Sequence, residues 1–223
     1  MRERAEAFNV LVAGIGGQGV LLVSKTIAAA ALQESRFASR TESRGLSQRG
    51  GSVSSVIRIG SRPVSPFLAL GSAHLILALD ALEALRSLPY LHGDGLLLSQ
   101  ETAIPPSHLA EDNPGEILRF YQEVEAGFCL AGARARRLNL KQAALAARCP
   151  KGLNAVLLGA ASAYLPLAAA TLRMALFEQV KPQYREGNMA AFERGVRALD
   201  APAGDGPHER VTEPAHAVSG VAG

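Results

Sequence analysis

The sequence predicts an α/β domain built on a mostly parallel sheet, and three observations carry that expectation. A short apolar run, FNVLVA at 8–13, fits a central strand covered on both faces. GIGGQG follows at once, and the VLLVSKTIAAAALQES stretch after it has the composition and length of a helix. Further buried-strand candidates then return, HLILAL at 74–79 and GLLLSQ at 95–100, and parallel strands need helical crossovers of this kind.

The remaining elements follow in order. Residues 36–41 suit a second short strand, TESRGLSQRGGSV reads as a loop or loop-plus-turn, and SVSSVIRI at 52–59 as a strand. GSRPVSP is a turn region, DALEALRSL a short helix, and the prolines of AIPPSH end regular structure. A short helix is expected at 114–121, a strand at 124–132 (VEAGFCLAG) and a helix at 138–149. KGLNAVLLGAASAYL begins another helix, in which Gly159 and the alanines permit a close neighbour, and a last helix spans about 186–199. The domain is thus read as 8–199, with 200–223 an aperiodic, flexible C-terminal tail.

Composition bounds the function. A domain of 223 residues buries roughly 70% of its unfolded surface, so no disulfide or metal is needed to fold it. Hydrophobic residues make up 48% and charged residues 19%, which suits a packed core under a weakly charged surface that an assembly can hide. The net charge of +3, with no Lys/Arg run interleaved with aromatics, points away from nucleic acid. Residues 1–60 hold eight Lys/Arg against four Asp/Glu, an excess that can meet an anion or an acidic partner, or merely be solvated. Cys129 and Cys149 are too few for an iron–sulfur cluster and too far apart for a CxxC pair, so both are expected to be buried thiols without chemistry. MRERAEAFNVLVAG has no apolar stretch of signal-peptide length. The apolar segment 153–176 is interrupted by Asn154, Tyr164, Pro166 and Arg173, so it reads as buried helix; no membrane and a cytoplasmic location are expected.

Two segments carry the recognition chemistry. Gly14, Gly16 and Gly19 form a G-x-G-x-x-G pattern between strand and helix: the first for a tight turn, the second for close approach of a ligand, the third for helix–strand packing. Helix N–H groups there favour an anion, while Gly17 and Gln18 add flexibility and an amide. The spacing alone admits NAD or flavin, another phosphate-bearing ligand, or a purely structural turn or subunit contact. A ribose-binding carboxylate should follow the second strand, which favours Glu42 over Glu34, although Glu42 can instead order its own loop against Arg44 or Arg49. In the ESRGLSQRGG loop, Glu42, Arg44, Gln48 and Arg49 concentrate polar groups. Arg49 offers a fork of donors to carboxylate or phosphate, Gln48 both donates and accepts, and Gly50 and Gly51 free the backbone. A self-satisfied surface loop is the bland alternative.

No residue makes a convincing independent catalyst. Ser24 has no histidine at local spacing, and His74, His92, His108, His208 and His216 are read as structural or solvated. The GDG triplets at 93–95 and 204–206 lack the downstream asparagine of a diphosphate–metal site and read as turns.

With these features in place, the sequence resembles the gamma-type domain of 2-oxoacid:ferredoxin oxidoreductases, nearest the indolepyruvate beta-subunit type. The resemblance rests on GIGGQGVLLVSKTIAAAA at 14–31, ESRGLSQRGGSVSSVIRIG at 42–60, SP at 65–66, DALEALRSLPYL at 80–91, NAVLLGAASAYLPL at 154–167 and NMAAFERG at 188–195. It implies a three-layer Rossmann-like domain like domain III of pyruvate:ferredoxin oxidoreductase, serving as an accessory subunit that is inactive alone. The whole enzyme would oxidatively decarboxylate indolepyruvate, or another aryl or branched 2-oxoacid, to its acyl-CoA and pass electrons to ferredoxin. Thiamine diphosphate, Mg²⁺ and iron–sulfur clusters would lie in the companion alpha subunit, and coenzyme A is a possible contact. By the same resemblance Gly14, Gly16, Gly17, Gln18 and Gly19, with Glu42, Gly45, Gln48, Arg49, Gly50 and Gly51, lie near the assembled active region or intersubunit surface. Two positions depart from the pattern: His74 stands where the family usually has an acidic residue, and the loop lacks the methionine many relatives carry. The competing readings are a self-contained Rossmann-like NAD- or flavin-binding oxidoreductase and a non-catalytic binding or scaffold module.

Overall fold

The computed structural model describes residues 7–44, 51–106, 109 and 114–198; the tail expected at 200–223 lies outside them. Six strands form one sheet: β1 (Phe8–Ile15), β2 (Phe37–Arg44), β3 (Ser52–Gly60), β4 (Ala73–Ala78), β5 (Leu91–Gln100) and β6 (Ala135–Leu138), in the spatial order β2-β3-β1-β4-β5-β6. Among the described residues seven α-helices accompany them: α1 (Val20–Gln33), α2 (Ala81–Ser87), α3 (Pro114–Ala131), α4 (Leu140–Ala146), α5 (Leu153–Ala161), α6 (Ala169–Gln179) and α7 (Arg185–Ala198).

Strand alternation divides the core. Val10 and Val12 of β1, Ile57 and Ile59 of β3, and Leu75 and Leu77 of β4 face one side, where they meet Val20, Val23 and Ile27 of α1 and the buried face of α5 to α7. Leu11, Ile76, Ala78 and Leu97 face the other side and meet Ala81 and Ala84 of α2 with Phe120, Val124 and Phe128 of α3. Helices therefore cover both faces of the sheet, as the continuous apolar strands require.

The expectation of a mostly parallel sheet is corrected to a mixed one. β1–β4, β4–β5 and β5–β6 pair in parallel, but β3 lies antiparallel to both β1 and β2. Hydrophobic alternation reports which face a residue takes, not which way a strand runs. β2 also continues to Arg44, so Glu42 and Arg44 belong to a strand rather than to the loop, paired with Ser55 and Val53.

The strand expected at 124–132 is instead part of the 18-residue helix α3. Phe120, Val124 and Phe128 recur every four residues and bury one stripe on the sheet, a period of 3.6 that outweighs the short apolar run. The apolar stretch 153–176 is two helices, not one. α5 ends at Ala161 and α6 begins at Ala169, with Pro166 in the break. β6, with exposed Arg136 and Arg137, carries no apolar alternation to announce it. The first GDG triplet lies inside β5 rather than in a turn.

Candidate functional site

The glycine turn closes on itself at the carboxyl end of β1. The Gln18 backbone N–H donates to the Ile15 carbonyl at 3.1 Å, and the Gln18 Oε1 accepts the Ile15 N–H at 2.7 Å. The Gln18 side chain therefore clasps the turn, and its oxygen lies where a Cβ at Gly14 would come within 2.8 Å. Gly19 caps α1 in the left-handed region, φ 93°, with its carbonyl accepting the N–H groups of Leu22 and Val23. The sequence assigned Gly19 to helix–strand packing. The neighbour is instead the side chain of Asn154 on α5, whose Nδ2 lies 2.1 Å from where a Cβ on Gly19 would sit. Gly16 and Gly17 at the crest of the turn are exposed.

The described end of the second segment, at Gly51, lies alongside the first. β1 and β3 pair from Phe8↔Ile59 to Ile15↔Ser52, and one further bond extends this ladder into the turn: the Gly16 N–H donates to the Gly51 carbonyl at 3.0 Å. Gly14, Gly16, Gly17, Gln18, Gly19 and Gly51 are thus brought together. Gly45, Gln48, Arg49 and Gly50 lie outside the described residues, which place their chain ends at Arg44 and Gly51.

Glu42 forms an ion pair with Arg40, which also reaches the Ser24 hydroxyl at 3.3 Å. The ribose-carboxylate geometry of a dinucleotide fold is not reproduced. β3 separates β2 from β1, and Glu42 sits within β2 rather than beyond its end. Glu34 caps the end of α1 and accepts the Ala168 N–H at 2.8 Å, fastening the start of α6.

Between the β2–β3 pair and α2 opens a cavity of about 370 Å³, whose lining includes Glu42, Ser43, Ser52, Glu83, Arg86 and Tyr90. Glu83 is buried; its carboxylate accepts the Ser52 hydroxyl and an Arg86 guanidinium N–H at 2.6 Å, so α2 holds the first residue of β3. Behind it Asp80, fully buried, caps α2 by accepting the N–H groups of Leu82 at 2.9 Å and Glu83 at 3.2 Å, and it ties in Ile104 N–H at 2.7 Å. Burial pushes the Asp80 carboxyl above its ordinary range, opposed by the hydrogen bonds from Ile104, Glu83 and Leu82. Sequence reasoning missed Asp80, Glu83 and Asn154. An acidic residue followed three positions later by Glu, at the end of an apolar strand, is a helix-start signal that could have found the first two.

The other candidates fall elsewhere. Ser24 is buried in α1 and donates to its own helix at Leu21. His74 and His92 lie at the amino end of the parallel strands, away from the glycine turn, and His108 is outside the described residues. The two cysteines are not both buried: Cys129 is exposed on α3, and Cys149 is half-buried with its thiol pushed up by burial. Among the described residues no group of three or more His, Cys, Asp or Glu is placed to hold a metal ion, and none forms a helix long and apolar enough to cross a membrane. The described lining residues include no His or Cys and offer charged and hydroxyl hydrogen-bonding groups beside an exposed glycine crest.

Known proteins resemble the chain in sequence and in fold. The pyruvate ferredoxin/flavodoxin oxidoreductase family model matches residues 9–198. Indolepyruvate oxidoreductase subunit IorB of Methanothermobacter thermautotrophicus is 33% identical over 197 residues, covering 86% of this chain and 97% of that protein. The subunit of the same name from Pyrococcus horikoshii is 31% identical over 198 residues, covering 86% and 95%. In fold, the chain is similar to the gamma subunit of a keto/oxoacid ferredoxin oxidoreductase from Geobacter sulfurreducens, with a TM-score of 0.63, 22% identity and coverage of 87% and 99%. The chain belongs to the pyruvate ferredoxin/flavodoxin oxidoreductase family.

Proposed function

We propose that the chain is the accessory subunit of a 2-oxoacid:ferredoxin oxidoreductase of the indolepyruvate type, working with a separate catalytic subunit in the cytoplasm. The observation that supports this most is correspondence with the IorB subunits over 86% of this chain and 95–97% of theirs, together with a glycine turn hydrogen-bonded to Gly51 at the start of β3. In this reading thiamine diphosphate with Mg²⁺ and iron–sulfur clusters, all held by the alpha subunit, supply the carbanion chemistry and remove the electrons. This chain's own work is to orient and to set charge. The exposed Gly16–Gly17 crest gives a partner or coenzyme A close approach to backbone. From the 45–50 segment, Gln48 supplies a neutral hydrogen bond and Arg49 a cationic fork to a substrate carboxylate, coenzyme phosphate or partner carboxylate.

The test is co-purification with the thiamine- and cluster-bearing subunit, followed by an assay of ferredoxin reduction with indolepyruvate and CoA present. Arg49→Ala should lower turnover of the assembled enzyme by about tenfold or more, the loss of one charge-assisted bond, while the isolated chain unfolds at the wild-type midpoint. Equal assembly and equal turnover in both proteins would reject the role given to Arg49. Saturable binding of NAD or flavin to the isolated chain would favour the self-contained nucleotide enzyme instead.

A further inference from the structure

The sheet order β2-β3-β1-β4-β5-β6 leaves β2 and β6 at its edges. β6 runs for only 4 residues, whereas β2 runs for 8. The pairing of β2 with β3 is unbroken from Phe37↔Gly60 to Arg44↔Val53, so no bulge turns it out of line, and FASRTESR contains no proline. An edge of that length and regularity is a template for another strand.

The phase of the ladder fixes which backbone groups this edge presents. Gly16 N–H donates to the Gly51 carbonyl, so Gly16 and Gly51 are a hydrogen-bonded pair. Along the same ladder Val53, Ser55, Ile57 and Ile59 then turn their backbone groups to β1. The residues between and beyond them, Ser54, Val56, Arg58 and Gly60, turn theirs to β2, where they meet Ser43, Thr41, Ser39 and Phe37. Ala38, Arg40, Glu42 and Arg44 therefore aim their N–H and C=O groups away from the sheet. Those of Ala38 and Arg40 have no hydrogen-bond partner among the described residues.

We infer that the β2 edge pairs with β2 of a second copy of this chain, antiparallel about a two-fold axis at Thr41. Such a contact is isologous, each strand meeting itself reversed. Near the middle of the strand the axis can fall at Arg40, Thr41 or Glu42, and an axis further out shortens the ladder. At Arg40 it sets the two Arg40 side chains opposite each other. At Glu42 it opposes the two Glu42 side chains and sets each Arg40 against Arg44. At Thr41 it places Arg40 of each copy opposite Glu42 of the other, with Ser39 opposite Ser43. Charges that repel the neighbouring registers thus select this one. Arg40 and Glu42 already form an ion pair within each copy, and the axis joins the two pairs into a cluster of alternating charge.

The rest of the fold accommodates the contact. β2 and β1 both run antiparallel to β3, so Arg44 lies at the same end of the sheet as the glycine turn. The two-fold then sets the glycine turns of the two copies at opposite ends of the joined sheet, and the pairing stands independently of the assignment proposed above.

The experiment follows the full chain by sedimentation from about 1 to about 200 µM, and the wild type should be dimeric above about 20 µM. Arg40→Glu and Glu42→Arg each set like charges opposite one another and should weaken the dimer about tenfold or more, while the double exchange restores it to within about threefold. Circular dichroism of each variant checks that it folds. In a Cys129→Ser background, Thr41→Cys under mild oxidation should give an interchain disulfide by peptide mapping, because the opposed Cα atoms lie about 4.5 Å apart. Ser43→Cys should not, because its two copies stand about 13 Å apart along the strands. The inference is overturned by a chain that stays monomeric at about 200 µM, by a dimer that both single exchanges leave intact, or by Ser43→Cys linking as readily as Thr41→Cys. Protection of the Ala38 and Arg40 amides from hydrogen exchange only when the catalytic subunit is added would give the edge to that subunit, and overturns it as well.

Discussion

Replacing Gly19 with Ala probes the glycine turn through the one contact that the sequence pattern did not foresee. At φ 93° and ψ 24° an alanine sits in the left-handed region, at a cost of about 1–2 kcal/mol. Its Cβ would also lie 2.1 Å from Asn154 Nδ2 and 3.0 Å from Asn154 Cγ, so Asn154 must move. Asn154 cannot swing away cheaply: it is 8% exposed, its Oδ1 accepts the Ala155 N–H at 2.8 Å, and every residue of α5 from Asn154 to Ala161 is buried. That overlap adds about 1–3 kcal/mol, for a loss near 2–5 kcal/mol in the single variant. Asn154→Ala alone should cost about 1 kcal/mol, the worth of its hydrogen bond. In the double variant the overlap vanishes and the backbone cost and the lost Asn154 hydrogen bond remain, so the double should be more stable than the sum of the singles by about 1–3 kcal/mol. Equilibrium urea unfolding of the four proteins, followed by circular dichroism, closes the cycle. Additivity within about 0.5 kcal/mol, or a Gly19→Ala variant as stable as wild type, refutes the reasoning.

Two further outcomes follow from the buried carboxylate and the thiols. Asp80→Asn should lose about 1–3 kcal/mol, because an amide cannot accept from Leu82, Glu83 and Ile104 together and turns a donor toward one of them. The folded protein holds the Asp80 proton more tightly than the unfolded chain, so the resulting stability is full below the ordinary aspartate range and is lost as pH rises through the folded-state value. The wild-type advantage over Asp80→Asn should therefore shrink as pH rises from the acid side toward neutrality; a difference in urea midpoint that stays flat or grows contradicts it. For the thiols, maleimide at neutral pH should modify Cys129 about tenfold faster than Cys149, since burial obstructs Cys149 and disfavours its thiolate. Peptide mapping that finds Cys149 modified first would reverse that assignment.

What could be read from the residues, and what could not, separates along physical lines. β1, the turn and α1 were legible because the continuous apolar run, the glycines and the helical composition agree locally. The side-by-side placement of the glycine turn and Gly51 was anticipated only as a resemblance; pairing partners are non-local. Strand direction left no trace either: SVSSVIRI alternates identically whether it runs with β1 or against it, so β3 was found and its orientation was not. In α3 the glycine and cysteine of VEAGFCLAG hid the helix, while Phe120, Val124 and Phe128 carried the period that identifies it. Gln18 was recognised as a site residue, but only coordinates show its oxygen returning to the Ile15 N–H.

The reversal of β3 has a consequence for what this fold can bind. In a dinucleotide fold the strand beside the glycine turn ends with a carboxylate that reaches a ribose. Here that position is taken by β3, which starts there instead of ending, and it delivers Gly51 and Ser52 to the turn. The Gly51 carbonyl occupies the Gly16 N–H, and the Ser52 hydroxyl is held by Glu83 of α2. Polar groups flanking the turn are thereby spent on bracing it, and a pyrophosphate would compete with those bonds. The turn is better suited to acting as a rigid abutment, with exposed backbone at Gly16 and Gly17 and a braced strand beginning beside them. Such a surface works by contact and bracing, which is the physical sense in which an accessory subunit can be required for turnover.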